Sequence, residues 1–311
     1  MADYIDVNGV RTWYDERGDG EPLVLLHGGL TDSRDFTGNL DALAEEFRLL
    51  LPERRGHGHT PDVDGPITIA AQAEDTIAFI EKIAGGPVRL AGYSAGAIVA
   101  LSVAVRRPDL VERLVLISGA FHAEGMILRP TGDAPPPPLL AAYAEVSPDG
   151  AEHFPVVIRK LVSAIESEPG LTQPDLDAVA CPTLVMAADD DIVAMEHALA
   201  LYRGLREAQL AIIPGTSHLL LHEKPDLCRG VVREFLTTGP APTWMPIRRT
   251  MNDLPAELSQ PALRALAAAG YSRLHQLANA SKADLGRLHG LGPAGIRVLD
   301  RALAAHGFAL S

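Results

Sequence analysis

Short apolar runs alternate with longer stretches whose apolar residues recur at helical spacing, and this rhythm holds from residue 23 to residue 118. The runs at 23–27, 47–51, 88–93 and 114–118 predict strands covered on both faces. Residues 36–46, 69–83 and 95–106 predict helices, the last stopped before Pro108. Ahead of them, 4–7 and 10–15 flank Asn8-Gly9, a strong hairpin signal. The alternation predicts an α/β fold with a mostly parallel sheet and helices on both sides. Such sheets carry their chemistry at the carboxyl ends of the strands.

The rhythm breaks after Gly119. Residues 121–177 contain four consecutive prolines from Pro135 and two helical segments at 139–145 and 151–166. This reads as an insertion that leaves the carboxyl edge of the sheet and forms a small lid over the site. Strand and helix signals resume at 182–187, 196–205, 208–213 and 225–236. The predicted core is therefore 1–120 with 178–238, and the lid is 121–177. Four prolines or glycines between 237 and 249 mark a linker, placed at 239–254. A second, all-α domain is expected at 255–311, from helical stretches at 261–269, 274–280, 282–288 and 294–306 around Gly290-Leu291-Gly292-Pro293.

Composition sharpens this picture in three places. With 311 residues, 47% of them apolar, the chain is long enough for one full core and a small second one. Its net charge of -13 argues against a nucleic-acid or anionic-membrane binder as a whole. From Pro246 onward, however, eight Lys or Arg face four Asp or Glu, a net of +4 on a remainder near -17. That asymmetry supports a separate domain with different partners. Cys181 and Cys228 show no paired motif, and no signal peptide or membrane-spanning run is visible, so a cytoplasmic protein is expected. A homo-oligomer is compatible with all of this.

The candidate chemistry centres on Gly92-Tyr93-Ser94-Ala95-Gly96, where an apolar run meets a helix. A serine there sits on a sharp strand-to-helix turn with its hydroxyl held clear of the sheet. Serine needs a base and a group to orient that base. Two later loops follow predicted strands: Asp189-Asp190-Asp191, and Pro214-Gly215-Thr216-Ser217-His218. Composition alone does not choose among the three aspartates. His27, ahead of Gly28-Gly29, is a poorer base and more suited to bracing its turn. Charge developing on an acyl oxygen calls for two donors, and the backbone N–H groups of Ala95 and Gly29 are the candidates.

Together with Arg54-Arg55-Gly56-His57-Gly58, these motifs resemble the α/β-hydrolase superfamily over about residues 4 to 237, in particular its esterase, non-haem haloperoxidase-like and lactonase-type members. The resemblance implies Ser94 as nucleophile, His218 as general base, Asp191 as orienting acid, and Gly29 and Ala95 as oxyanion donors. Its implied activity is cofactor-independent hydrolysis of a small to medium apolar ester or lactone, with no metal. Glu53, Thr60 and Ala188 depart from residues common in that pattern, which touches loop support rather than chemistry. Perhydrolase activity is the alternative enzyme reading, and a non-catalytic scaffold binding DNA or protein is the non-enzyme one. Residues 255–311 resemble the helix-hairpin-helix domain at the end of bacterial RNA polymerase alpha subunits. That likeness implies a possible phosphate contact through Gly290 and Gly292, near Lys282, Arg287 and Arg297, although the hairpin glycines serve a tight helix corner equally well.

Overall fold

The computed structural model describes residues 1–128, 136–238 and, apart from 256, 272, 279, 306 and 307, 254–311. Almost all of the expected linker, together with Pro135 and His306, lies outside them. The chain divides into two compact units, one up to Gly239 and one from Pro240.

In the first unit, eight strands form one sheet: β1 (Asp3–Val7), β2 (Val10–Arg17), β3 (Glu21–Leu26), β4 (Phe47–Pro52), β5 (Val88–Tyr93), β6 (Val111–Ile117), β7 (Thr183–Asp190) and β8 (Ala208–Ser217). Their spatial order is β1-β2-β4-β3-β5-β6-β7-β8. The β1–β2 and β2–β4 pairs are antiparallel and all others parallel. After β3 the chain steps out to β4, then returns to the other side of β3 as β5. That reversal opens a crevice beyond the carboxyl ends of β3 and β5.

Both faces of the sheet are buried, and the period of two along each strand decides which side chain goes where. Val24, Leu26, Leu50, Leu90, Leu114 and Leu116 join one core, against helices α1 (Ile69–Phe79) and α2 (Ala95–Arg106). Their neighbours Leu23, Leu25, Leu49, Leu51, Val115 and Ile117 join the other. The helical reading of 36–46 is corrected. Two short 3-10 turns, Ser33–Phe36 and Leu40–Glu45, stand there, separated by Gly38 at φ 77°. Asp32 and Asn39 accept N–H groups at the start of each turn, satisfying donors that a continuous helix would use internally.

Between β6 and β7 lie α3 (Pro137–Val146), α4 (Phe154–Ser167) and α5 (Gln173–Ala178). Leu176 of α5 is fully buried in the core shared with α2. Three polar ties hold α3 and α4 to the sheet side. Arg34 pairs with Asp32 and reaches Glu145 and the Ala142 carbonyl. Asp62 accepts from His153 and Lys160. Glu168, just past α4, accepts the Ile69 and Ala70 N–H groups at 2.6 and 3.0 Å, satisfying donors that a helix start leaves orphaned. Helices α6 (Met195–Gly204), α7 (Leu220–Glu223) and α8 (Pro225–Thr237) complete this unit.

The second unit contains α9 (Gln260–Ala268), a 3-10 turn at Leu274–Leu277, α10 (Lys282–Leu285) and α11 (Pro293–Ala304). Leu258, Leu266, Leu277, Leu285, Leu291, Leu299 and Leu303 form its own small core. Among the described residues, no helix is long and apolar enough to cross a membrane.

The turn from β5 into α2 tolerates no side chain at its glycines. A Cβ on Gly96 would press into the carbonyl oxygens of Leu26 and His27, and one on Gly92 into the carbonyl of Gly96. Gly96→Ala is therefore expected to cost about 3 kcal/mol or more in urea unfolding. Gly86→Ala, where the same atom meets open space, should stay within about 1 kcal/mol of wild type.

Candidate active site

Ser94 directly follows β5 at φ 54° and ψ -119°, a strained conformation for a residue with a side chain. It occupies the N-cap position of α2, where a serine hydroxyl ordinarily accepts a helix N–H. Here no such cap bond forms. Oγ instead lies 2.9 Å from Nε2 of His218. Nδ1 of His218 lies 2.7 Å from Oδ1 of Asp191, and the Tyr93 hydroxyl donates to the His218 carbonyl at 2.8 Å. Three loops after β5, β7 and β8 thus bring Ser94, Asp191 and His218 into one hydrogen-bonded chain.

The three aspartates at the carboxyl end of β7 separate by contact. Asp189 is exposed and accepts the Gly215 and Thr216 N–H groups, bracing the loop that carries His218. Asp190 faces solvent. Asp191 has a side chain only 2% exposed, and its second oxygen accepts from the Ser118 hydroxyl at 2.5 Å. Ser118 was not singled out from the sequence. The signal available was a small polar residue directly after β6, and it too has a positive φ, 49°.

Gly29 and Ala95 are neighbours: a Cβ on Gly29 would sit 3.3 Å from that of Ala95. The N–H of Gly28 is taken by Asp35 at 2.8 Å, leaving the Gly29 N–H as the next donor of that loop. Ala95 is the first residue of α2, whose N–H has no partner within the helix. The pair can therefore offer two N–H groups beside the serine.

His27 is fully buried and braces this turn. Its Nε2 accepts the Arg54 N–H at 3.1 Å, so the ring proton sits on Nδ1 and goes to the Gly28 carbonyl at 2.8 Å. Burial, with Arg54 and His57 nearby, keeps the ring well below its usual pKa and neutral. Arg54 donates to the carbonyls of His27 and Gly28 and to Gln72. Burial lowers its pKa to about 9. Glu53, fully buried, accepts from Ser33 and His59. The arginine loop is scaffolding for the glycine turn.

A cavity of about 300 Å³ lies over Ser94. Met126 and Leu128, early in the insertion after β6, line it. Leu139, Leu140 and Tyr143 pack instead into a cluster with Phe154 and Val157. The main lid contribution comes from Ile158, Leu161, Val162 and Ile165 of α4, which the sequence reading did not name. Their i, i+3, i+4, i+7 spacing was the signal for one apolar helix face. Among the described residues, no lysine, arginine, aspartate or glutamate lines the cavity.

In the second unit, Gly290 has φ 104° and its Cβ position is filled by the Pro261 carbonyl, while Gly292 is the N-cap of α11. Arg287 pairs with Asp284, and Lys282 with Asp300.

Burial alone would raise the Asp191 pKa, but hydrogen bonds from His218 and Ser118 outweigh it and hold the carboxyl below its usual range. Its folded value thus lies below its unfolded one, near 4. The stability it contributes is present above about pH 4 and is lost as pH falls through the folded value. Asp191→Asn should lessen the acid slope of unfolding free energy by up to about 1.4 kcal/mol per pH unit, read by urea melts between pH 3 and 5.

Residues 23–231 match the alpha/beta hydrolase family. An (E)-2-((N-methylformamido)methylene)succinate hydrolase of Acinetobacter baylyi is 31% identical over 108 residues, 35% of this chain and 41% of its own length. A pyrrolizixenacetamide deacetylase of Xenorhabdus hominickii is 29% identical over 76% of this chain and 99% of its own. A solved serine hydrolase involved in carbazole degradation superposes with TM-score 0.65 at 25% identity, over 76% of this chain and 98% of that one. The sheet order, the strained turn and the match over most of its length agree: the chain belongs to the alpha/beta hydrolase family.

Proposed function

We propose that Ser94, His218 and Asp191 act as nucleophile, general base and orienting acid in hydrolysis of a neutral, apolar carboxylic ester or lactone. The carrying observation is the continuous Ser94–His218–Asp191 hydrogen-bond chain opening onto a cavity that no described lysine, arginine, aspartate or glutamate lines. His218 takes the hydroxyl proton as Ser94 Oγ attacks the acyl carbon. The tetrahedral oxyanion receives the N–H groups of Gly29 and Ala95. Collapse expels the alcohol with the proton from His218, leaving an acyl-serine. Water, deprotonated by His218, then attacks the same carbon and restores the hydroxyl. Among the described residues none on the wall offers an ion pair to the substrate, and binding by them rests on burial of apolar surface, about 25 cal/mol per Å².

For the second unit we favour a packing or protein-contact module of the helix-hairpin-helix type. Lys282 and Arg287, two of the basic residues near the hairpin, are already paired with carboxylates of the same unit, which reduces what they can offer a DNA phosphate.

A fluorophosphonate probe should label the wild-type protein and leave Ser94→Ala and His218→Ala unlabelled in intact mass spectra. Asp191→Asn should lower kcat on p-nitrophenyl esters by about 10⁴-fold, since it frees the imidazole to adopt the wrong tautomer. Wild-type protein that resists the probe and turns over no acyl substrate would overturn the assignment.

A further inference from the structure

Next to the cavity over Ser94 lies a second chamber of about 130 Å³. The two share a wall made by Ile69, Ile98, Ala120, Met126, Ala164 and Ile165. From there the second chamber follows α2, where Ile98, Ser102 and Arg106 recur every four residues and so stand on one helix face. At 1.5 Å per residue, that face carries the lining about 12 Å from Ser94 at Ser102 and about 18 Å at Arg106. Two charged side chains of this chamber are engaged with the protein, whereas His122, also in its lining, keeps a buried Nδ1 without a hydrogen-bond partner. Arg106 pairs with Glu74, and Glu168 caps the start of α1. The shared wall remains entirely apolar.

Which part of a substrate would point that way follows from the chemistry. The leaving oxygen takes its proton from His218, so the alcohol side must lie by that ring. Neither His218 nor its neighbours Ile192 and Val193 border the second chamber. The portion directed away from His218 is the acyl group.

We propose that the second chamber receives the distal part of an unbranched, medium-length acyl chain, so that octanoyl-type esters are preferred over acetyl or butyryl ones. This rests on the serine-hydrolase reading above and narrows it. The chain would pass Ile98 and Ala164 and end near Ser102, a span that a butyryl group does not fill.

The test compares kcat/KM for p-nitrophenyl acetate, butyrate, octanoate and decanoate. Wild type should rise at least tenfold from acetate to octanoate. Ser102→Leu and Ala123→Leu each fill the second chamber without bordering the cavity at Ser94. Each should cut octanoate turnover tenfold or more and leave acetate turnover within threefold. Equal losses on all four esters, or an unchanged octanoate-to-acetate ratio in both variants, would overturn the proposal. Calorimetric binding of decanoate to Ser94→Ala protein reads the chamber without turnover, and adding Ser102→Leu should weaken it at least tenfold. If no ester is hydrolysed yet this binding depends on Ser102, the hydrolase reading falls and the chamber assignment stands. Binding indifferent to Ser102→Leu would sink the chamber assignment alone.

Discussion

The close backbone contact between the first turn of α2 and the last residues of β3 underlies the rest of the site. Gly96 lets the helix start rest directly on the carbonyls of Leu26 and His27. The loop that leaves β3 must then pass beside Ser94, which is how Gly29 comes to neighbour Ala95. The sheet order makes this contact possible, since β3 and β5 are hydrogen-bonded neighbours with registers from Leu23–Arg89 to Leu26–Gly92. A methyl group at residue 96 would separate two loops that are far apart in sequence and useful only together.

Strand positions were legible because nearly every central strand is buried on both faces and therefore reads as an unbroken apolar run. The order of Ser94, Asp191 and His218 was legible because each follows such a run. Composition did not choose among Asp189, Asp190 and Asp191, since all three lie at one strand end, and only the family resemblance pointed to Asp191. Three-dimensional placement puts Asp189 on the backbone of the His218 loop and Asp191 on the ring itself. The 36–46 segment misleads for a local reason: its apolar spacing suits a helix, but Gly38 and Asn39 divert the backbone into separate turns. The α4 wall was written in helical period, yet period alone does not tell a face that packs on core from one that lines a cavity. On α4 both occur, with Phe154 and Val157 in packing and Leu161 and Val162 over the serine.

The lid is fastened to the sheet side by charge at its ends and by apolar surface in its middle. Arg34 and Asp62 bind separate points of it, and its own Glu168 reaches the start of α1. Glu168 does two things at once, following directly on the end of α4 and completing the start of α1, so the two walls of the cavity are tied through one carboxylate. Such anchoring favours a cavity whose shape is set before a ligand arrives.

The buried guanidinium of Arg54 has a mechanical meaning through the geometry of a single amide. A trans peptide is a rigid plate whose oxygen and hydrogen point in opposite directions. Arg54 and His27 both grip the oxygen of the plate joining Gly28 to Gly29. Turning that plate would break both bonds inside a region closed to water. Two flexible glycines are thereby made stiff from behind, and the hydrogen on the far side of the plate acquires a direction without any group touching it.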